Sequence, residues 1–70
     1  MYGDSIVTIT GRREVLIENY KGILEYTGEY IKIQTKNAKL TVYGKKLSIE
    51  YYTNEDMKVV GFVKSIEYEA

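Results

Sequence analysis

The sequence predicts a small all-β domain, an antiparallel meander of six to eight short strands that is curled or barrel- or sandwich-like. β-Branched residues and tyrosine alternate with lysine and glutamate along most of the chain, which is the period of strands with one buried face. Short stretches, most of them containing glycine or asparagine, separate the apolar runs. None of these stretches is long enough for a helical crossover, so neighbouring strands should pair antiparallel.

Eight runs have the strand pattern. In chain order they are Ile6–Thr10, Glu14–Glu18, Ile23–Tyr26, Tyr30–Gln34, Lys39–Tyr43, Leu47–Tyr52, Met57–Val60 and Lys64–Glu67. Opposed residues of an antiparallel pair share a face, so matching apolar residues sets the register. The expected partners are Val7 with Ile17, Ile9 with Val15, Leu24 with Ile33, Tyr26 with Ile31, Leu40 with Ile49, Val42 with Leu47, Ile49 with Val59, Tyr51 with Met57, Val59 with Ile66, and Met57 with Tyr68. The same registers align four opposite charges on the outer face: Glu25 with Lys32, Lys39 with Glu50, Glu50 with Lys58, and Lys58 with Glu67.

A glycine repeat favours an alternative fold. Gly11, Gly28, Gly44 and Gly61 recur at intervals of 16 or 17 residues, a spacing that is also expected of a short parallel β-solenoid. A repeated hairpin gives the same period. Because the opposite-charge pairs require antiparallel neighbours, the meander is the prediction and the solenoid the alternative.

The length of 70 residues predicts a single domain, residues 1–70, with little core to stabilise it. The absence of cysteine and histidine removes disulfides and the commonest zinc ligands, which leaves oligomerisation as the remaining stabiliser. Ten basic and ten acidic residues cancel, so we expect no strong field for nucleic acid or anionic lipid. No apolar run approaches the roughly 20 residues of a membrane span.

The sequence offers little for catalysis, and we expect no catalytic residue, no cofactor and no metal. It has no histidine or cysteine to act as base or nucleophile, and no glycine-rich phosphate loop. Glu55-Asp56, the one acidic doublet, and Arg12-Arg13 are both interpreted as solvated turns.

Two candidate contact surfaces remain. The first strand has no charged residue, so Ile6, Thr8 and Thr10 are predicted to form an adhesive sheet edge. Tyrosine is favoured at interfaces, and we expect Tyr30, Tyr43 and Tyr52 on the outer face and Tyr20 at a loop tip. Packing across neighbouring strands is the alternative reason for so many tyrosines. A homo-oligomer that uses one of these surfaces is the prediction.

Several segments resemble the YabP/YqfC sporulation protein family along nearly the whole chain. The matching segments are residues 9–13, 15–26, 31–35, 40–49 and 59–68. The loop Glu18-Asn19-Tyr20-Lys21-Gly22 and the closing Ile66-Glu67-Tyr68 look closer to the YqfC-like branch. The resemblance implies a role in endospore formation in a Gram-positive spore former. It implies a cytoplasmic product of the mother cell, peripheral at the forespore envelope, with a membrane protein of the sporulation programme as partner. The resemblance implies no catalytic residue in this sequence.

These observations leave two alternative hypotheses for the function. The leading one is a non-catalytic interaction or scaffold module at the forespore surface that self-associates. The alternative is a small β-barrel that binds nucleic acid or a small ligand, which the compact length and the exposed tyrosines favour and the neutral charge disfavours.

Overall fold

The computed structural model describes residues 4–69, which form six β-strands. The strands are β1 (Ile6–Thr10), β2 (Glu14–Glu18), β3 (Gly22–Tyr26), β4 (Tyr30–Gln34), β5 (Lys39–Tyr52) and β6 (Asp56–Glu69). They pair antiparallel in one sheet with the order β1-β2-β6-β5-β4-β3. The all-β antiparallel prediction is confirmed, and the parallel solenoid is wrong. The strand order is more than a simple meander, because β2 lies beside the last strand.

Strands β5 and β6 are each 14 residues long, and each joins two runs that were predicted as separate strands. The segments predicted as turns, Gly44-Lys45-Lys46 and Gly61-Phe62, are bends inside these strands. The register shifts at the bend, and pairing continues through Lys45 opposite Phe62. The expected pairs that lay within one long strand, such as Leu40 with Ile49, are therefore wrong.

The bends divide the sheet into two halves. The first half contains β1, β2, residues 56–60 of β6 and residues 48–52 of β5. The second half contains β3, β4, residues 39–43 of β5 and residues 62–69 of β6. Both halves contribute to a single core, so the one open sheet is curled, as predicted. The buried apolar residues are Val15, Ile17, Tyr20, Ile31, Ile33, Leu40, Val42, Leu47, Met57, Val59 and Val63.

Each short hairpin attaches its turn to the bend of the long strand beside it. The backbone N–H of Gly61 donates to the Arg13 carbonyl oxygen over 3.1 Å, and that of Val63 donates to the Arg12 carbonyl oxygen over 2.7 Å. In the other half, the N–H of Gly44 donates to the Glu29 carbonyl over 2.9 Å and that of Leu47 to the Gly28 carbonyl over 2.8 Å. The glycine repeat therefore marks two hairpin turns and two strand bends.

Two β-bulges change which side chains face the core. In the second hairpin, Tyr26 pairs with Ile31 as predicted, but a bulge puts Ile23 instead of Leu24 opposite Ile33. In β5, Ile49 pairs with Val59 as predicted. A second bulge then places Tyr51 opposite Lys58 and Tyr52 opposite Met57. Since Lys58 is on the outer face and Met57 is buried, the predicted facing of Tyr51 and Tyr52 is reversed.

Residues 4–69 include no helix with the length and apolar character needed to cross a membrane.

Candidate interaction surfaces

The edge of the sheet at β1 is open. Within residues 4–69, β1 pairs with β2 alone, in the predicted register. Ile6 is 56% exposed and Ile9 is 53% exposed, and Thr8 and Thr10 are exposed between and beside them. An uncharged edge strand with exposed apolar side chains is a template for pairing with another chain.

The opposite edge, at β3, has features that oppose strand addition. It contains the bulge at Leu24 and the charged Glu25. The Tyr26 hydroxyl oxygen also accepts a hydrogen bond of 3.0 Å from the Ile49 backbone N–H, which ties β3 to the second part of β5. This bond, and one with the Ser48 side chain, lower the pKa of Tyr26. The edge strands β1 and β3 are therefore unequal, and β1 is the better suited of the two to binding.

A tyrosine face, defined as Glu25, Tyr30, Lys32 and Tyr43, lies on the outer side of the second half. Tyr30 and Tyr43 are register partners with ring centroids 6.4 Å apart. The Tyr30 hydroxyl donates to Glu25 Oε1 over 2.7 Å, and Lys32 Nζ lies 3.8 Å from Glu25 Oε2. The hydrogen bond to the carboxylate and its negative charge raise the pKa of Tyr30.

The tyrosine face borders a shallow depression of about 120 Å³. Its lining residues are Lys32, Thr41, Tyr43, Glu67, Tyr68 and Glu69. Tyr43 is 38% exposed, so part of its ring is available to a partner. The Glu25–Tyr30 hydrogen bond fixes the neighbouring ring, which reduces the entropy that is lost when a partner binds.

Two of the four tyrosines expected at contact surfaces, Tyr20 and Tyr52, lie outside the tyrosine face. Tyr20 is only 7% exposed, and its hydroxyl donates to the Thr53 carbonyl oxygen over 2.6 Å. Burial raises its pKa, and the nearby Tyr52 and Asp56 add to the effect. Tyr20 therefore lies in the loop between β2 and β3 as predicted, but its side chain is buried and not available at the surface. Tyr52 is 65% exposed but shares the face of Met57, so it does not belong to the tyrosine face.

The charges of the outer face form fewer pairs than expected. Lys58 Nζ lies 3.3 Å from Glu14 Oε1 and 3.6 Å from Glu50 Oε2. Both carboxylates raise the pKa of Lys58, and Glu14 has the larger effect. The predicted pair of Lys58 with Glu67 is wrong because both residues lie on β6, and that of Lys39 with Glu50 fails in the same way on β5. The part of the chain in the structure contains no cluster of three or more acidic residues suited to a metal ion.

A basic tip, defined as Arg12, Arg13, Lys45, Lys46 and Phe62, was missed by the sequence reasoning. The turn of the first hairpin and the bends of both long strands meet there, and all five side chains are exposed. A signal was present, since Gly11-Arg12-Arg13 and Gly44-Lys45-Lys46 share one pattern. The neutral net charge obscured it.

These features define a small β domain with an open edge and two polar-aromatic surfaces. The model of the YabP family matches residues 2–70, and the chain therefore belongs to the YabP family. The match concerns the family as a whole and leaves the YqfC-like branch undecided. Membership is consistent with a sporulation-related protein. Neither the curated proteins nor the solved structures gave a match.

Proposed function

We propose that this protein is a non-catalytic interaction module of endospore formation that joins copies of itself through β1 and binds a partner through the tyrosine face. The observation that carries the proposal is the open β1 edge, which has no charged residue, whereas the edge at β3 carries a bulge and Glu25. Backbone groups on such an edge give affinity, and the alternating side chains give specificity.

Self-association would also add stability to a domain that is too small to bury a large core. A domain of 70 residues buries only about 60% of the surface of its unfolded chain, and this one has no disulfide to compensate. A second copy paired along β1 would remove Ile6 and Ile9 from water. Burial of apolar area contributes about 25 cal/mol per Å².

The tyrosine face supports the partner half of the proposal. Tyr43 offers a partly exposed ring beside a depression with charges of both signs, Lys32 on one side and Glu67 and Glu69 on the other. A rigid aromatic anchor with a mixed polar rim is typical of protein interfaces. Following the family resemblance, the proposed partner is a membrane protein of the sporulation programme. The proposed location is the mother-cell cytoplasm, peripheral at the forespore envelope.

Light scattering tests the self-association. The wild type should be a homo-oligomer at high micromolar concentration, and Thr8→Lys should shift it to monomer because a lysine on an edge strand blocks strand addition. Ser65→Lys is the matched control, since it adds the same charge at an exposed strand position away from β1. A monomeric wild type, or equal effects of the two substitutions, would contradict the proposal.

A sporulation assay tests the function of both surfaces. Thr8→Lys and Tyr43→Ala should reduce spore formation while the circular dichroism spectrum stays unchanged. Tyr51→Ala is the control, because Tyr51 is a 46% exposed tyrosine on the outer side of the other half. If both folded variants sporulate normally, neither surface is the functional one.

A further inference from the structure

The basic tip concentrates four positive charges at one end of a neutral chain. Arg12 and Arg13 lie in the first hairpin turn, and their carbonyl oxygens accept hydrogen bonds from Val63 and Gly61. Lys45 and Lys46 lie in the bend of β5. The ion pairs found within residues 4–69 include none of these four cations. The tip therefore presents four cations without a salt-bridge partner among the described residues.

An exposed aromatic ring accompanies these charges. Phe62, the single phenylalanine, is 48% exposed and is the register partner of Lys45. Beside it lies an open hollow of about 390 Å³, lined by Arg13, Lys45, Lys46, Gly61 and Phe62. Because Phe62 lies at a solvent-exposed bend, its apolar ring is removed from water only when a partner covers it, and an exposed apolar group of this kind is typical of an interaction site.

The backbone beneath the tip is held in an unusual conformation. Lys46 has φ of +54° and Gly61 has φ of +133°. A Cβ atom at Gly61 would lie 2.5 Å from the Lys46 carbonyl oxygen, so the two bends are in close contact. A lysine in the left-handed region is uncommon, and such residues persist where the surrounding structure fixes them. The tip is therefore a preformed surface.

We propose that the basic tip binds the surface of a membrane that contains anionic lipids. Phe62 enters the boundary between headgroups and acyl chains, and the four cations contact the headgroup phosphates. Interfacial proteins combine these two elements, an apolar insertion and a basic ring around it. The tip is separate from the β1 edge and the tyrosine face, so the inference does not rest on the proposed function.

The distribution of charge favours a membrane over a nucleic acid. A nucleic acid that runs across several strands needs a basic groove with several stacking rings. Here the outer face beyond the tip alternates in sign, with Glu14, Lys58 and Glu50 paired to one another. The far end of the first half carries Glu18, Glu55 and Asp56, whose charges would orient the tip toward an anionic surface.

Vesicle co-sedimentation tests the proposal. The wild type should bind vesicles of phosphatidylcholine mixed with phosphatidylglycerol and should dissociate from them as salt is added. It should not bind vesicles of phosphatidylcholine alone. Removing two cations with Lys45→Gln and Lys46→Gln together should weaken binding about 30-fold, at about 1 kcal/mol for each cation. Phe62→Ser should weaken binding while leaving the salt dependence intact. The matched control is Lys36→Gln with Lys39→Gln, which removes two exposed lysines at and just before the start of β5, away from the bend.

Three outcomes would overturn the proposal. One is no binding to the mixed vesicles, and another is equal loss in the tip variant and its control while circular dichroism shows both folded. The third comes from fluorescence anisotropy with single-stranded DNA at the same salt concentration. If the tip variant loses DNA binding that was tighter than vesicle binding, the tip is a nucleic-acid site.

Discussion

Gly44 and Gly61 hold equivalent positions in the two long strands, and each donates its backbone N–H to the turn of the hairpin that pairs with its own strand. The acceptors are the carbonyl oxygens of Glu29 and Arg13. These contacts fix the bends where the sheet folds back on itself. Both glycines are tightly surrounded. A Cβ atom on Gly44 would clash with the Phe62 carbonyl oxygen, and one on Gly61 would clash with the Lys46 carbonyl oxygen.

Substitution of these glycines should destabilise the fold. Gly61→Ala forces an alanine into positive φ, and backbone strain of this kind costs about 1–3 kcal/mol before the steric clash is added. Gly44→Ala should also reduce the free energy of unfolding, through the clash alone. Urea unfolding measures both effects. Gly28→Ala is the control, since its Cβ would have open space, and a loss there as large as at Gly61 would contradict the explanation.

The two faces of β4 should respond differently to charge. Ile33 is fully buried, so Ile33→Lys places an unpaired charge in the core and should unfold the domain. Lys32→Glu lies next along the strand on the outer face and should cost less than about 1 kcal/mol. Circular dichroism with thermal melting distinguishes them. Equal tolerance of both substitutions would mean that the faces are assigned wrongly.

The hydrogen bond between Tyr26 and Ile49 should have a measurable contribution. Tyr26→Phe removes the acceptor of the Ile49 N–H and should lower the free energy of unfolding by about 0.5–1 kcal/mol. Tyr51→Phe removes the hydroxyl of a comparably exposed tyrosine on the neighbouring strand segment and should be neutral. Two equal values from urea titrations would show that the bond contributes nothing.

Alkaline pH should weaken the fold through Tyr20. Its pKa is raised above the ordinary value of about 10, so the unfolded chain loses the phenolic proton first. The free energy of unfolding therefore falls as the pH rises from about 10 toward the folded-state pKa. Tyr20→Phe should make this fall shallower. Tyr26 has a lowered pKa, so Tyr26→Phe should make it steeper, and the same sign for both variants in unfolding titrations would refute the assignment.

The alternation of residue types was sufficient to predict the short hairpins. Val7 with Ile17 and Glu25 with Lys32 were identified because short turns leave few ways to align two strands. Tyr68, expected in the core, is instead 62% exposed although it pairs with Leu40. Alternation identifies a strand's faces but does not indicate how far along the strand the covering layer extends.

The two long strands, β5 and β6, could not be predicted from the local sequence pattern. A glycine flanked by charged residues has the same pattern in a turn as in a bend, so Gly44 and Gly61 gave no sign that pairing continues through them. The pairing of β2 with β6 joins residues about 40 positions apart and leaves no short-range signal. The bulge near Glu50 has the same character, and it reversed the facing of Tyr51 and Tyr52. The basic tip depends on the bends and on the pairing of β2 with β6, which bring the first hairpin turn to the bends of the long strands.

The position of β6 between β2 and β5 sets a condition on the order of folding. The β1–β2 hairpin is synthesised well before its inner neighbour, residues 56–60, which follows about 40 residues later in the chain. An isolated two-stranded hairpin is at best marginally stable in water. Val15 and Ile17 therefore stay uncovered until β6 is available, and the sheet is completed only after translation of β6.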